Sequence, residues 1–250
     1  MKIDLTGKTV LITGGSRGIG AACVKLFAEA NCNVAFTYIS AKHRADELVS
    51  NYGDKVNAYK VDMESENEIN TCVEKVVSEF GNVDILVHNA GIWNDGELEK
   101  MTLEHWQKLL RINLDSMFLL TKAVVPYMKK NKWGRIIHVS STAGQRGESF
   151  HSHYAASKGG MISFTKSMAW ELGPFGITTN SVAPGWVDTE MNDEVFADKS
   201  YKEKVRKDIP VGRIASSEDI AYPILFLSSD YAQHICGEIL NVNGGSVLAG

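Results

Sequence analysis

Paired cysteines, an excess of basic charge and a long apolar run are all missing from this sequence. Its four cysteines, Cys23, Cys32, Cys72 and Cys236, share no short spacing. That argues against a disulfide framework, a zinc-ligand set or a thioredoxin-like pair, and for reduced thiols in a cytoplasmic protein. Lysine and arginine number 26 against 30 acidic residues, a formal net charge of -4, so the basic surplus of a nucleic-acid binder is lacking. No segment approaches the length of a membrane span, and residues 1–12 lack a signal-peptide pattern. His151 and His153 form an H-x-H with no second ligand cluster, so no metal is expected. No Pro/Ser-rich linker, repeat or low-complexity tract divides the chain, and a single domain over 1–250 is expected.

What is present is regular. Apolar residues make up 44% of the chain, ample for a core. Strand-like runs recur at TVLIT (9–13), VAFTY (34–38), VNAYKV (56–61), VDILVH (83–88), RIIHVS (135–140), ITTNSVA (177–183) and EILNV (238–242). Several are continuously apolar, the mark of strands buried on both faces of a parallel sheet. Helical stretches separate them, so the pattern predicts a doubly wound α/β fold of about seven parallel strands with helices on both faces. Ligands of such sheets bind beyond the carboxyl ends of the strands. The unusual residues all fall there. TGGSRGIG (13–20) follows the first run and opens a helix whose apolar positions are Ile19, Cys23, Leu26, Phe27 and Ala30. A helix start with bare N–H groups suits a phosphate. The spacing Gly14-x-x-x-Gly18-x-Gly20 is not the strict G-x-G-x-x-G, so a tight structural turn is an equal reading at this point. Tyr38, Ile39 and Ser40 follow the second run, where an NAD site usually places a carboxylate. Asp62, HNAG (88–91), SSTAG (140–144) and PGWVDT (184–189) follow later runs.

YAASK places Tyr154 and Lys158 four residues apart, on one helix face. An ammonium beside a phenol stabilises the phenolate. Bringing a phenol from about 10 to near neutrality needs ~4 kcal/mol, more than one lysine supplies, so a cationic cofactor ring is expected to contribute. An ordinary amphipathic pair, with the lysine exposed and the tyrosine half-buried, would read the same way.

From about residue 5 to 246 the sequence resembles the short-chain dehydrogenases/reductases. The resemblance is carried by TGGSRGIG, HNAG, Asn113 in RINLDSMF, Ser141 placed 13 residues before Tyr154, Tyr154-x-x-x-Lys158, APGWVDT and NVNGG. It implies a Rossmann fold and an NAD(P)-dependent oxidoreductase. It further implies that Tyr154 is the general acid for carbonyl reduction, that Ser141 donates to the substrate oxygen, that Lys158 binds the nicotinamide ribose and tunes Tyr154, and that Asn113 holds a relay water. For the cofactor it implies Gly14, Ser16, Arg17, Gly18, Ile19 and Gly20 at the phosphates, Asp62 and Met63 at the adenine, and Asn89, Ala90 and Gly91 beside the adenosine. Pro184, Gly185, Val187 and Thr189 would serve the nicotinamide end, together with Tyr154 and Lys158. His88 replaces the usual asparagine, at a position that mainly stabilises the sheet.

Tyr38 in place of a carboxylate, with Arg17, Ser40, and Lys42 or Arg44 available to a 2′-phosphate, predicts NADP(H) over NAD(H). Trp93, Gln145, Phe150, His151 and Trp186 could line a substrate pocket or merely pack loops. Residues 191–209 read as a solvated helix pair that lids the substrate. Lys129, Lys130, Lys132 and Arg135 form a basic cluster, either a solvated helix end or a docking point for an acidic carrier protein.

Within the family the resemblance is strongest to 3-oxoacyl-[acyl-carrier-protein] reductases of bacterial fatty-acid synthesis, with IPVGRIASSEDIA (209–221) in register. Phe175 departs from the basic residue that carrier-dependent members often have. HYAASKGG also occurs in glucose-dehydrogenase-like members, so a sugar or polyol dehydrogenase is the alternative enzyme. A dinucleotide-binding regulator without turnover is the alternative of another class, and the intact Asn113/Ser141/Tyr154/Lys158 set argues against it. A homotetramer is the expected assembly.

Overall fold

The computed structural model describes residues 2–248. All seven expected strands form: β1 (Thr9–Ile12), β2 (Asn33–Tyr38), β3 (Val56–Lys60), β4 (Ile85–His88), β5 (Gly134–Val139), β6 (Ile177–Pro184) and β7 (Ile239–Val242). They pair in parallel in one sheet of order β3-β2-β1-β4-β5-β6-β7. Chain order therefore reverses between β1 and β4. That reversal opens a crevice at the carboxyl ends of the two strands, the usual ligand position of a doubly wound sheet.

Ten α-helices lie among the described residues, beside short 3-10 turns and one π turn: α1 (Gly18–Glu29), α2 (Lys42–Tyr52), α3 (Glu66–Phe80), α4 (Leu103–Leu110), α5 (Ser116–Asn131), α6 (Thr142–Arg146), α7 (Ser152–Leu172), α8 (Asp193–Phe196), α9 (Lys199–Asp208) and α10 (Ser217–Leu227). The continuous apolar runs have their cause in the layering. In β1, Val10 and Ile12 face one core with Cys23 and Phe27 of α1 and Ile220 and Ile224 of α10. Leu11, pointing to the other side, joins Ile69 and Val73 of α3 and Leu120 and Val124 of α5. Alternate residues of one strand thus need apolar partners on both faces. The helix boundaries have local causes too. Ser65 caps α3 by accepting from Glu68 N–H, and Ser216 forms a reciprocal capping box with Asp219 at α10, each satisfying donors the helix leaves unpaired.

Two sequence expectations need correction. Residues 191–209 do form helices, α8 and α9, but their underside is not solvated: Phe196, Val205 and Ile209 are buried together against Trp186 and Ile214. Arg135 does not belong to a surface basic cluster. It is 3% exposed in β5, donating to Gly134 O at 2.8 Å and pairing with Asp230 at 3.2 Å. No described helix is long and apolar enough to cross a membrane. All four cysteines are free thiols.

Candidate active site

The glycine turn is fixed by contacts that leave no room for side chains. Gly14 adopts φ +66°, a left-handed conformation that favours glycine. A Cβ on Gly20 would lie 2.1 Å from the Gly14 carbonyl oxygen, so only a hydrogen lets α1 start that close to the turn. Thr13 Oγ1 accepts from the N–H groups of Asn89 and Ala90 at 3.0 and 2.9 Å. Asn89 Nδ2 donates back to the Thr13 and Gly14 carbonyls at 3.0 and 3.2 Å. HNAG therefore clamps the turn to the end of β4. α1 begins with no side-chain cap and no acid in its first turn, leaving N–H groups for an anion.

The second half of the site is built on α5, α6 and α7. Between α4 and α5 the chain makes a π-helical turn, Arg111–Asp115, a feature common at functional sites. The turn carries the fully buried Asn113. Its Oδ1 accepts from Ile92 N–H at 2.8 Å, and its Nδ2 donates to Ile92 O at 2.9 Å and to Ser157 Oγ at 3.3 Å. A Cβ on Gly91 would meet Asn113 Oδ1 at 3.2 Å and Lys158 Nζ at 3.6 Å. Gly91, Asn113 and Lys158 are thus immediate neighbours. Lys158, 3% exposed, donates to Val139 O at 2.8 Å, and burial pushes its ammonium down to about 8. Ser141 caps α6, accepting from Ala143 N–H at 3.1 Å, and lines the same cleft as Tyr154. Enclosure of the phenol pushes it up to about 12, against the opposing effect of Ser141 and with a further rise from Glu148. Lys158 Nζ lies 5.7 Å from the Tyr154 ring centre, its ammonium directed to the Val139 carbonyl.

These groups open into one cleft of about 480 Å³. Its walls include Gly14, Ser16, Arg17, Gly18, Ile19, Tyr38, Ser40, Asp62, Met63, Asn89, Ala90, Gly91, Ser141, Tyr154, Lys158, Pro184, Gly185, Val187 and Thr189. Gly20 and Asn113 lie behind the wall as supports. Trp93 and Trp186 line the cleft, edge to face at 6.2 Å. The other three pocket candidates do not. His151 stacks behind Trp93 at 4.4 Å and pairs with Asp95 at 2.9 Å. Gln145 is turned to Asn241 at 2.6 Å, and Phe150 is exposed. Lys42 is held by Asp46 at 2.7 Å, away from the cleft. Sequence reasoning missed Ile92, Arg146, Glu148 and Glu190, which also line it, as does Met191 at the start of the expected lid. The signal for Glu190 was its place directly after PGWVDT. Arg146 and Glu148 offered none, because the short α6 and the turn after it have no periodicity to read. His88 is fully buried, with Nε2 3.0 Å from Ser116 Oγ and the ring edge-on to His138; burial holds it neutral, as a sheet-supporting residue.

The family model described as enoyl-(acyl carrier protein) reductase matches residues 14–246. The 3-oxoacyl-[acyl-carrier-protein] reductase FabG of Aquifex aeolicus is 40% identical over 248 residues, spanning 98% of this chain and 99% of that one. The chain belongs to the short-chain dehydrogenases/reductases. FabG of Vibrio cholerae is likewise 40% identical, over 98% of this chain and 100% of that one. The crystal structure of gox2181 superposes with a TM-score of 0.93 at 31% identity, covering 98% of this chain and 97% of that one. As a short-chain dehydrogenase/reductase the protein is an NAD(P)-dependent oxidoreductase. Its glycine turn fits a nicotinamide dinucleotide on a structural ground: a cradle that a Cβ would fill, at an uncapped helix start. Among the described residues no group of three His, Cys, Asp or Glu could hold a metal.

Proposed function

We propose that the protein reduces the ketone of a 3-oxoacyl thioester to the 3-hydroxyacyl thioester, using NADPH in the cytoplasm. The observation that carries this reading is that Ser141, Tyr154 and the buried Lys158 line one cleft, which is also walled by Ile92, Trp93, Trp186 and Met191. The reduced nicotinamide, when bound, supplies a hydride to the carbonyl carbon. Ser141 then donates a hydrogen bond to the carbonyl oxygen, where negative charge develops. Tyr154 gives its phenolic proton to that oxygen, completing the alcohol. Lys158 holds the ribose, and Asn113 fixes the 92 loop and the π turn against α7, so the relay from Lys158 toward solvent keeps its shape. Gly14, Ser16, Arg17, Gly18 and Ile19 hold the phosphates, Asp62 and Met63 the adenine, and Val187 and Thr189 the carboxamide. The apolar walls take the acyl chain, and α8 with α9 form the lid over it. Residues 1–250 act as one domain.

NADPH is favoured because Tyr38 stands where a carboxylate would bind a free 2′-hydroxyl, while Arg17, Ser40 and Arg44 can meet a phosphate. The test is steady-state turnover of acetoacetyl thioesters of coenzyme A and of a carrier protein, against glucose and a crotonyl thioester, with each cofactor. The expected result is the highest kcat/KM for acetoacetyl thioester with NADPH. Faster oxidation of glucose, reduction of the crotonyl double bond in preference to the ketone, or equal use of NADH would overturn it.

A further inference from the structure

The first turn of α1 carries no acid of its own, yet a carboxylate from far along the chain reaches it. Glu190 lies in the three-residue 3-10 turn Glu190–Asn192 after β6. Its Oε2 is 3.7 Å from where a Cβ on Gly18 would be, over the start of α1. There it forms an ion pair with Arg44 of α2. Burial alone would raise the Glu190 carboxyl, but its own backbone N–H, Arg44 and Arg17 together hold it below the ordinary value. The neighbouring acid, Asp188, is committed elsewhere, to Lys202 of α9 at 2.8 Å. The Glu190 carboxylate therefore stands on the cleft wall beside the start of α1 and holds the Arg44 guanidinium.

We propose that Glu190 is an internal competitor for the cofactor's phosphates, standing beside the start of α1 and engaging Arg44 until a nucleotide displaces it. This rests on the reading that the cleft binds a phosphorylated dinucleotide. Two consequences follow from charge alone. A nucleotide carrying a 2′-phosphate must take Arg44 from Glu190, whereas one without it leaves the ion pair in place and meets only the repulsion. Removing the charge at residue 190 should therefore strengthen binding of both nucleotides, and of the 2′-phosphorylated one more.

The experiment is calorimetric titration of the full chain with adenosine 2′,5′-bisphosphate and with 5′-ADP, so no turnover is needed. Glu190→Gln is expected to tighten the bisphosphate about two- to fivefold, the scale of one partly exposed charge pair, and 5′-ADP by less. Arg44→Ala should weaken the bisphosphate selectively, and Glu190→Gln added to Arg44→Ala should recover little, since the contested group is gone. Glu190→Ala, with folding checked by circular dichroism, serves if the glutamine variant packs poorly. An unchanged or weaker bisphosphate affinity in a folded Glu190 variant would overturn the competitor. A wild-type chain that binds neither nucleotide would instead overturn the nucleotide reading itself, and the competitor with it.

Discussion

Tyr154 and Lys158 carry opposite burdens of the same burial. Desolvation disfavours whichever form of a group is charged, so it pushes the phenol up to about 12 and the ammonium down to about 8. The phenol is protonated across the neutral range, as an unshifted phenol also is. Tyr154→Phe removes that proton while preserving the ring, and is expected to lose at least ~100-fold in kcat with cofactor Kd nearly unchanged. Ser141→Ala should lower kcat and also spare Kd, read by the same kinetics and titration. Lys158 has a stability consequence with a definite sign. Its folded value lies below its ordinary 10.5, so between about pH 8 and 10.5 the unfolded chain binds the extra proton and stability rises with pH. Below that window the buried ammonium costs roughly 3 kcal/mol, partly offset by its bond to Val139 O. Lys158→Met should therefore abolish turnover yet raise Tm by about 5 °C at pH 7. Differential scanning calorimetry should find that advantage shrinking as pH rises from 8 to 10.

At the scale of elements, catalysis depends on how closely α6 lies against α7. A Cβ on Gly144 would come within 2.5 Å of the Lys158 carbonyl carbon and 2.8 Å of Gly159 N, both backbone atoms that cannot swing aside. Gly144→Ala must then move α6, and with it Ser141 at its N-cap, away from Tyr154. A shift near 1 Å between reacting groups can cost ~100-fold, whereas overpacking costs ~1–3 kcal/mol. The variant is expected to remain folded at 25 °C by circular dichroism while losing most of its kcat. The π turn directs Asn113 into the joint between the 92 loop and α7, where it bonds Ile92 and Ser157.

For the whole molecule, the outward faces of α5 and α7 leave large apolar side chains without cover. Trp170 is 88% exposed and Phe118 48%. Exposed apolar side chains on neighbouring helices suit a symmetric interface, consistent with a proposed homotetramer. Light scattering at micromolar concentration should give about four times the 27.5 kDa chain mass. Trp170→Glu should reduce that mass, because a carboxylate cannot be buried unpaired at a subunit contact. A monomer mass for the unmodified protein would contradict the assembly.

The seven strands were legible because a strand buried on both faces must be apolar throughout, and Val10, Leu11 and Ile12 supply one core each side in turn. The cleft's glycine and strand-end residues were legible for a related reason: a parallel sheet puts every strand's end at one edge, whatever the loops do. Contacts between distant segments were not. Nothing local to His151 says that its ring backs Trp93 instead of facing the cleft, and nothing local to Lys158 says that its ammonium turns to Val139 O. Glu190 and Arg44 are 146 residues apart, and only the crossing of the β6 loop over α1 brings their charges together. Periodicity fixes which face a residue takes within its own element. Which group from elsewhere meets it, and so which way its charge is biased, is decided by the packing of the elements.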